Sequence, residues 1–282
     1  MVENDYLQFY KMKTILVATD FSPAALNATN YAADMALAVN ADLLLLHVFQ
    51  TAVVFTEMPI NLTSDEVRPG AEKELVEIKH WLARKTNGKL TVETTIKEGS
   101  FFTELKNVCE EIQPYAVVIG SQGKSATERF FFGSHAVFAM KHLMWPVITV
   151  PPGAIFLSVK KIGLACDFNH IVDKIDVAEI KTLVNDFNAA LHILNTGKKE
   201  VFDPEIVFES VLLEEKLKPV KPHYHFITYA DTDEGILDFV EQNNIDFLMV
   251  LPRRHSLPDK LIRRSHTKHL VMHSPVPVMA IH

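Results

Sequence analysis

A span rich in glycine has the composition of an anion-binding loop. Gly120 and Gly123 follow an apolar run, and Gly133 and Ser134 follow after nine intervening residues, where a helical pattern begins. Glycines let backbone N–H groups approach an anion without a Cβ atom in the way, and they permit positive φ. The free amides of a helix N-terminus favour phosphate, with the Ser134 hydroxyl as an additional donor. Since only 10 of 282 residues are glycine, three of them in this span favour phosphate binding.

The ends of two other apolar runs carry groups that suit a nucleoside. Asp20 ends the first run and can accept hydrogen bonds from a ribose hydroxyl or an adenine amine, and His47 and Val48 end the second run and can flank a base. The carboxyl ends of parallel strands meet at one crevice, so these groups would lie beside the glycine span. Lys124, within the span, can neutralise phosphate, although an exposed loop cation is an equally good interpretation.

Neither of two common phosphate-loop motifs occurs in the chain. The Walker A pattern is absent, and so is Gly-x-Gly-x-x-Gly, which argues against a dinucleotide redox site. Turn formation alone would explain an isolated pair of glycines. Three glycines, a hydroxyl at a helix entry and an aspartate at a strand end favour nucleotide binding instead. No set of nucleophile, base and acid can be identified, so slow ATP hydrolysis or phosphoryl transfer at the same site is the alternative hypothesis.

The spacing of apolar residues predicts the elements that position these groups. Strands are predicted over 14–18, 43–48, 90–96, 115–119 and 147–150. Helical patterns separate them, the first capped by Ser22 and Pro23, and a polar loop is predicted around 59–69. This alternation predicts a doubly wound parallel α/β sheet with right-handed crossovers.

The whole pattern occurs twice in the chain. Segments that match in the same order are 13–21 with 160–168, 40–48 with 188–196, 133–135 with 264–266, and 146–150 with 277–281. Four matches in one order predict two copies of one domain, with a boundary near Pro151-Pro152-Gly153. The predicted organisation is an N-terminal arm over 1–12, a first domain over 13–152 and a second domain over 153–282.

The motifs together resemble the universal stress protein family across essentially the whole chain. They are Gly-2x-Gly-9x-Gly-Ser after a fourth strand, and Val-Ala-Thr-Asp-Phe-Ser after Lys-Thr-Ile-Leu. The resemblance implies two tandem, Rossmann-like five-stranded sheets in the order 3-2-1-4-5. It also implies an adenine nucleotide (ATP, ADP or AMP, with or without Mg²⁺) as ligand. By position, adenine and ribose would meet Thr19, Asp20 and Val48, and ribose and phosphates would meet Gly120, Gly123, Gly133, Ser134 and His135.

The second copy departs from this motif. It keeps Asp167, but the segment after its fourth strand reads Leu-Pro-Arg-Arg-His-Ser over 251–256, without glycine, and Arg264 stands ahead of Ser265. Proline and bulky side chains hinder a backbone from approaching phosphate. We therefore expect one nucleotide per chain, held by the first domain, and a degenerate second domain that does not bind.

Two further patterns lie near the end of the chain. Residues 253–268 contain six basic side chains and one acidic side chain. A solvated surface is the favoured interpretation, with an anion site or a docking patch as alternatives. His266, His269 and His273 recur at helical spacing, but no carboxylate or cysteine accompanies them locally, which argues against a metal site.

Composition and charge limit the function and the partners. With 28 basic and 35 acidic side chains, the net charge of −7 disfavours nucleic acid and anionic membranes as partners. Two cysteines and no signal-peptide pattern suggest the cytoplasm. The terminal strands of the two copies are expected to pair within the chain as a pseudo-dimer, as the family resemblance implies. Homodimerisation is left open, since no sequence pattern supports it. The expected function is a regulatory module that senses or stores an adenine nucleotide.

Overall fold

A sheet of ten strands runs through both copies of the repeat. The computed structural model describes residues 12–51, 53–54, 60–61, 63–121, 134–166, 175–195, 204–227, 229, 231–252 and 266–282. In chain order the strands are β1 (Lys13–Ala18), β2 (Ala41–Phe49), β3 (Val53–Val54), β4 (Ile60–Asn61), β5 (Val92–Glu98), β6 (Ala116–Gly120), β7 (Val147–Val150), β8 (Lys161–Cys166), β9 (Ala190–Asn195), β10 (His223–Phe226), β11 (Phe247–Val250) and β12 (Val278–Ala280). The helices are α1 (Pro23–Val39), α2 (Ser64–Lys85), α3 (Phe101–Ile112), α4 (Ser134–His142), α5 (Val177–Phe187), α6 (Pro204–Leu217), α7 (Thr232–Gln242) and α8 (His266–His273).

The order of the strands confirms the predicted tandem fold. Neighbouring strands of the large sheet are β10-β9-β8-β11-β12-β7-β6-β1-β2-β5. Within the first copy (β1 to β7) and the second copy (β8 to β12) this is the order 3-2-1-4-5, and neighbours within each copy are parallel. The fifth strands of the two copies, β7 and β12, pair antiparallel. The two copies therefore form a pseudo-dimer within one chain, and β3 and β4 form a separate small hairpin.

Helices cover both faces of the large sheet because its strands are apolar on both sides. Ile15 and Val17 of β1 pack into one core with α1, α2, α5 and α6. Leu16 and Ala18 of the same strand pack into the other core with α3, α4, α7 and α8. Successive side chains of a strand point to opposite faces, so a continuous apolar run feeds two cores.

The start of α2 differs from the predicted polar loop over 59–69. The helix begins at Ser64 and runs through Pro69. The backbone N–H of Thr63 donates to the Glu66 carboxylate at 2.8 Å, which is one half of a capping box. This contact satisfies an amide at the helix entry and fixes the start of the helix five residues before the proline, within the span predicted as a loop.

A polar cluster joins the two copies beside the central strand pair. Asp186 of α5 accepts hydrogen bonds from Lys13 Nζ at 2.6 Å and from the Tyr115 hydroxyl at 2.8 Å, both in the first copy. Burial and the neighbouring carboxylate raise the pKa of Tyr115, which keeps its hydroxyl a donor. Between the paired strands, the Thr149 hydroxyl donates to the Val278 carbonyl at 3.1 Å. Hydrogen bonds therefore supplement apolar packing at this junction.

Glu179 of α5 is a buried carboxyl whose ionisation should weaken the fold. Its Oε1 is buried and has no hydrogen-bond partner within the described part of the chain. Burial, followed by the charge of Asp176, raises the pKa of Glu179 from 4.5 to about 8. Between these values the folded chain keeps the proton and the unfolded chain releases it, so stability falls as pH rises through this interval.

We expect Glu179→Gln to remove this pH dependence. The variant should be more stable than the wild type by about 1 kcal/mol or more at pH 8, since the amide cannot ionise. The difference should shrink as the pH is lowered towards 4.5. Urea unfolding at several pH values measures it, with the exposed Glu241→Gln as control. Parallel pH profiles for wild type and Glu179→Gln would contradict the argument.

Candidate functional site

The carboxyl ends of β1, β2 and β6 lie at one edge of the first copy. β1 lies between β2 and β6, with Ala18 in register with Leu46 on one side and with Ile119 on the other. The winding of the sheet reverses between β1 and β6, where doubly wound folds leave a crevice. Thr19, Val48 and Gly120, all predicted site residues, are at these three strand ends.

The turn from β1 into α1 holds Asp20 in a defined position. The Asp20 carboxylate accepts the Ser22 N–H at 3.0 Å, and the Thr19 hydroxyl accepts the Phe21 N–H at 3.1 Å. Ser22 then caps α1 by accepting the Ala25 N–H at 3.1 Å, as the sequence predicts. Phe21 has a φ of 62°, which is uncommon for a residue with a large side chain. Asp20 therefore lies at the N-terminus of α1, beside the ends of β1 and β6.

His47 contacts this turn from the neighbouring strand. Its Nδ1 lies 2.8 Å from the Thr19 carbonyl oxygen. Its ring stacks on Phe21, with centroids 4.3 Å apart, and lies 6.5 Å from the ring of Phe49. The sequence predicted that His47 could flank a base. It gave no indication that His47 contacts Thr19, which is 28 residues away.

Gly120 is required by helix packing, which the sequence argument did not foresee. A Cβ atom at this position would lie 2.9 Å from the backbone carbon and oxygen of Ala24 in α1. Its φ lies outside the left-handed region, so positive φ is not the reason for glycine here. The close approach brings the first turn of α1 onto the end of β6. This packing explains why a glycine is needed at position 120 even if no ligand binds there. A ligand contact at Gly120 stays a prediction.

Gly120→Ala should therefore destabilise the unliganded protein. Its Cβ would collide with backbone, which cannot move aside as a flexible side chain can, and we expect a loss of about 1–3 kcal/mol. Gly70→Ala is the matched control, because nothing lies within 4 Å of its Cβ position in α2. That change should stabilise the helix by about 0.5–1 kcal/mol. Urea midpoints measure both, and an unchanged midpoint for Gly120→Ala would refute the packing account.

The phosphate side of the predicted site is described only in part. Gly123, Lys124 and Gly133 lie outside the described residues. Ser134 is the first residue of α4, and its side chain is likewise outside the description. His135 is exposed, and its ring stacks on Phe101 of α3 with centroids 5.0 Å apart. Among the described residues, those predicted to contact the nucleoside lie at neighbouring strand ends.

Helices α4 and α8 are equivalent in the two copies but differ in their contacts. In both helices, the residues four and eight positions after the serine carry stacked rings. These are Phe138 on His142, with ring centroids 4.0 Å apart, and His269 on His273, with ring centroids 4.2 Å apart. In the first copy, Phe138 packs edge-on against Phe102 of α3. In the second copy a contact between histidine and carboxylate stands in place of this aromatic contact.

A buried carboxylate contacts two histidines of α8 in the second copy. Asp233 of α7 is 4% exposed, and its oxygens lie 2.7 Å from His266 Nδ1 and 3.7 Å from His269 Nδ1. No carboxylate accompanies these histidines in the local sequence, because Asp233 is 33 residues away from His266. Among the described residues, no three His, Cys, Asp or Glu side chains are arranged to hold a metal ion.

The equivalent strand edge of the second copy carries bulkier residues. Val250 is in register with Ala165 as Ile119 is with Ala18, so Leu251 occupies the position of Gly120. Leu251 is half-buried and packs against the apolar core. Asp167 and residues 253–265, which include most of the basic segment, lie outside the described residues.

Three imidazoles cluster at the outer edge of the second copy. His192 of β9 lies beside His223 and His225 of the outer strand β10, with its Nδ1 3.0 Å from His225 Nε2. Burial, then His225, His223 and Lys161, lower the pKa of His192 from 6.5 to about 4. Between these values the unfolded chain binds a proton that the folded chain does not, so stability is lost as pH falls through this interval.

His192→Gln should flatten the acid limb of the stability profile. We expect the wild type to lose more stability than this variant between pH 6.5 and 4, since glutamine binds no proton. Titratable groups that do not interact with His192 cancel in the comparison. Urea unfolding across this interval measures the slopes, with the exposed His80→Gln as control. A slope for His192→Gln as steep as that of the wild type would exclude His192 as its source.

Two five-stranded doubly wound copies, joined through their fifth strands, define a tandem α/β protein of the Rossmann-like class. The family model described as the Universal stress protein family matches residues 11–151 and 173–282. The chain belongs to the universal stress protein family. None of its described helices is long and apolar enough to cross a membrane.

Solved structures share this fold over nearly the whole chain. A universal stress protein from Archaeoglobus fulgidus DSM 4304 is 19% identical, with a TM-score of 0.71, covering 95% of this chain and 97% of its own. A functionally unknown protein from Pseudomonas aeruginosa PAO1 is 12% identical, with a TM-score of 0.60 and coverages of 96% and 92%. A putative universal stress protein from Pseudomonas aeruginosa UCBPP-PA14 is 12% identical, with a TM-score of 0.59 and coverages of 96% and 93%. No curated protein matches the sequence.

Proposed function

We propose that the chain is a regulatory module that binds an adenine nucleotide in its first copy. The observation that carries this proposal is the arrangement at the end of β1. Thr19 and Asp20 occupy a hydrogen-bonded turn between the ends of β2 and β6, in which the Asp20 carboxylate accepts the Ser22 N–H. A carboxylate there suits the hydroxyls of a ribose or the amine of adenine. Val48, half-buried near the end of β2, would border the base.

The phosphates would be bound by the glycine span and by α4. Gly123, Lys124 and Gly133 belong to this span, and Ser134 begins the nine-residue α4. Unpaired backbone amides at the start of a helix attract phosphate oxygens. His135 would lie at the ribose and phosphate end of the ligand. Mg²⁺ can accompany a di- or triphosphate without any protein ligand, through the phosphates themselves.

The second copy is proposed not to bind. Leu251 stands where Gly120 stands in the first copy, and Pro252 follows it. A leucine side chain at that position occupies space that glycine leaves to backbone and ligand, and proline has no N–H to donate. The second copy would then serve as the structural partner of the first, which predicts one nucleotide per chain.

Ligand analysis of the purified chain tests this function. Mass spectrometry of the released ligand, with titration calorimetry for ATP, ADP and AMP in the presence and absence of Mg²⁺, should give one adenine nucleotide per chain. Gly133→Arg, which copies Arg264 of the second copy, should abolish binding and leave unliganded thermal unfolding nearly unchanged. Ser265→Ala, the equivalent in the second copy of a change at Ser134, is the control and should bind normally.

Three results would contradict the proposal. They are retained binding in Gly133→Arg, a stoichiometry of two, and the absence of binding to any adenine nucleotide. A single-turnover assay separates binding from the alternative, slow ATP hydrolysis or phosphoryl transfer. Negligible cleavage of bound ATP over hours supports the regulatory module, whereas protein-dependent cleavage that is lost in Ser134→Ala supports the enzyme.

A further inference from the structure

We infer that His47 is a positioning residue that fixes the turn carrying Asp20, and so determines how tightly the first copy binds its nucleotide. The inference rests on the proposed function. It assigns His47 no contact with the ligand. The imidazole acts on the residues that come immediately before and after Asp20.

The first contact is a hydrogen bond to the residue before Asp20. His47 Nδ1 lies 2.8 Å from the carbonyl oxygen of Thr19. A carbonyl only accepts hydrogen bonds, so Nδ1 carries the proton and donates it. The last backbone hydrogen bond at this end of the β1–β2 pair runs from Thr19 N–H to the Leu46 carbonyl at 2.9 Å. The side chain of His47 therefore extends the connection between the strands to the carbonyl that leads into the turn.

The second contact is with the residue after Asp20. Phe21 has a φ of 62°, a conformation that is costly for a large side chain and persists where surrounding contacts hold it. Its ring stacks on that of His47 at a centroid distance of 4.3 Å and an interplanar angle of 28°. One imidazole thus holds the peptide before Asp20 and the side chain after it.

Two of the hydrogen bonds of this turn are local. Thr19 Oγ1 accepts the Phe21 N–H, and Asp20 Oδ1 accepts the Ser22 N–H. These bonds define the shape of the turn, but all their members belong to it. His47 belongs to β2, so its contacts fix the orientation of the turn relative to the neighbouring strand, where the base would lie.

The second copy supplies a natural substitution for the test. Ala165 is in register with Leu194 as Ala18 is with Leu46, so Asn195 occupies the position of His47. The amide nitrogen of asparagine can donate from nearly the same place as Nδ1 of histidine. His47→Asn therefore keeps the donor and removes the ring, while His47→Phe keeps a ring and removes the donor.

The experiment measures ATP affinity by calorimetry for wild type, His47→Asn, His47→Phe and His47→Ala, with the exposed His80→Ala as control. If the donated hydrogen bond determines the position of the turn, His47→Ala and His47→Phe should each bind ATP about tenfold or more weakly. His47→Asn, which loses only the ring contact, should bind more tightly than either of them, and His80→Ala should match the wild type. Thermal unfolding of each variant identifies any that fail to fold. His47→Asn is the variant expected to disturb folding least, because the second copy has asparagine at this position.

Amide hydrogen exchange of Thr19, Phe21 and Ser22 without nucleotide gives a second measurement. These amides should exchange faster in His47→Ala and His47→Phe than in the wild type, and His47→Asn should lie closer to the wild type than either. Wild-type affinity in His47→Phe, or affinity in His47→Asn as weak as in His47→Ala, overturns the inference. Weaker binding with unchanged exchange also overturns it, because His47 would then act by touching the ligand. If the wild type binds no adenine nucleotide, the proposed function fails, while the exchange rates still decide whether His47 holds the turn.

Discussion

The antiparallel pairing of β7 with β12 is the interaction on which the rest of the architecture depends. Val147, Ile148 and Thr149 pair with the residues of β12, and this joins two parallel sheets into one. A fifth strand left unpaired would expose a row of backbone donors and acceptors and the apolar side chains beside them. Each copy covers that edge of the other, and one apolar core contains residues from both copies.

This dependence explains how the two copies can differ in their crevices. The second copy must keep β12 and the strands that support it, since these complete the sheet of the first copy. This requirement does not constrain the residues at the carboxyl ends of β8 and β11. There, Leu251 occupies the position of Gly120 in the first copy. The helices on that side differ too, with the buried Asp233 and its histidines where the first copy has the ring pair Phe102 and Phe138. Conservation of the fold and divergence of the crevice are therefore compatible.

The fold could be predicted from the sequence because its signals are local and repeated. Apolar runs of strand length gave the main strands of the first copy, and Ser22 with Pro23 gave the start of α1. The start of α2 was missed although Thr63 and Glu66 carry a capping-box signal, because Pro69 was treated as a boundary. The sequence could not predict that packing requires glycine at position 120. Ala24 is far away along the chain and contacts Gly120 only once α1 has packed against β6.

At the nucleoside side of the candidate site, some features of the structure also depend on local contacts and others on long-range contacts. The shape of the Asp20 turn is local, since Thr19, Phe21 and Ser22 are its neighbours and hydrogen-bond within it. Its orientation is a long-range property, because the donor to the Thr19 carbonyl comes from the next strand of the sheet. A turn that is already ordered loses little conformational freedom when a ligand binds, so contacts that orient it favour binding without touching the ligand. The strained φ of Phe21 is consistent with such a turn, because a conformation of this kind persists only where contacts from outside the turn over-determine it.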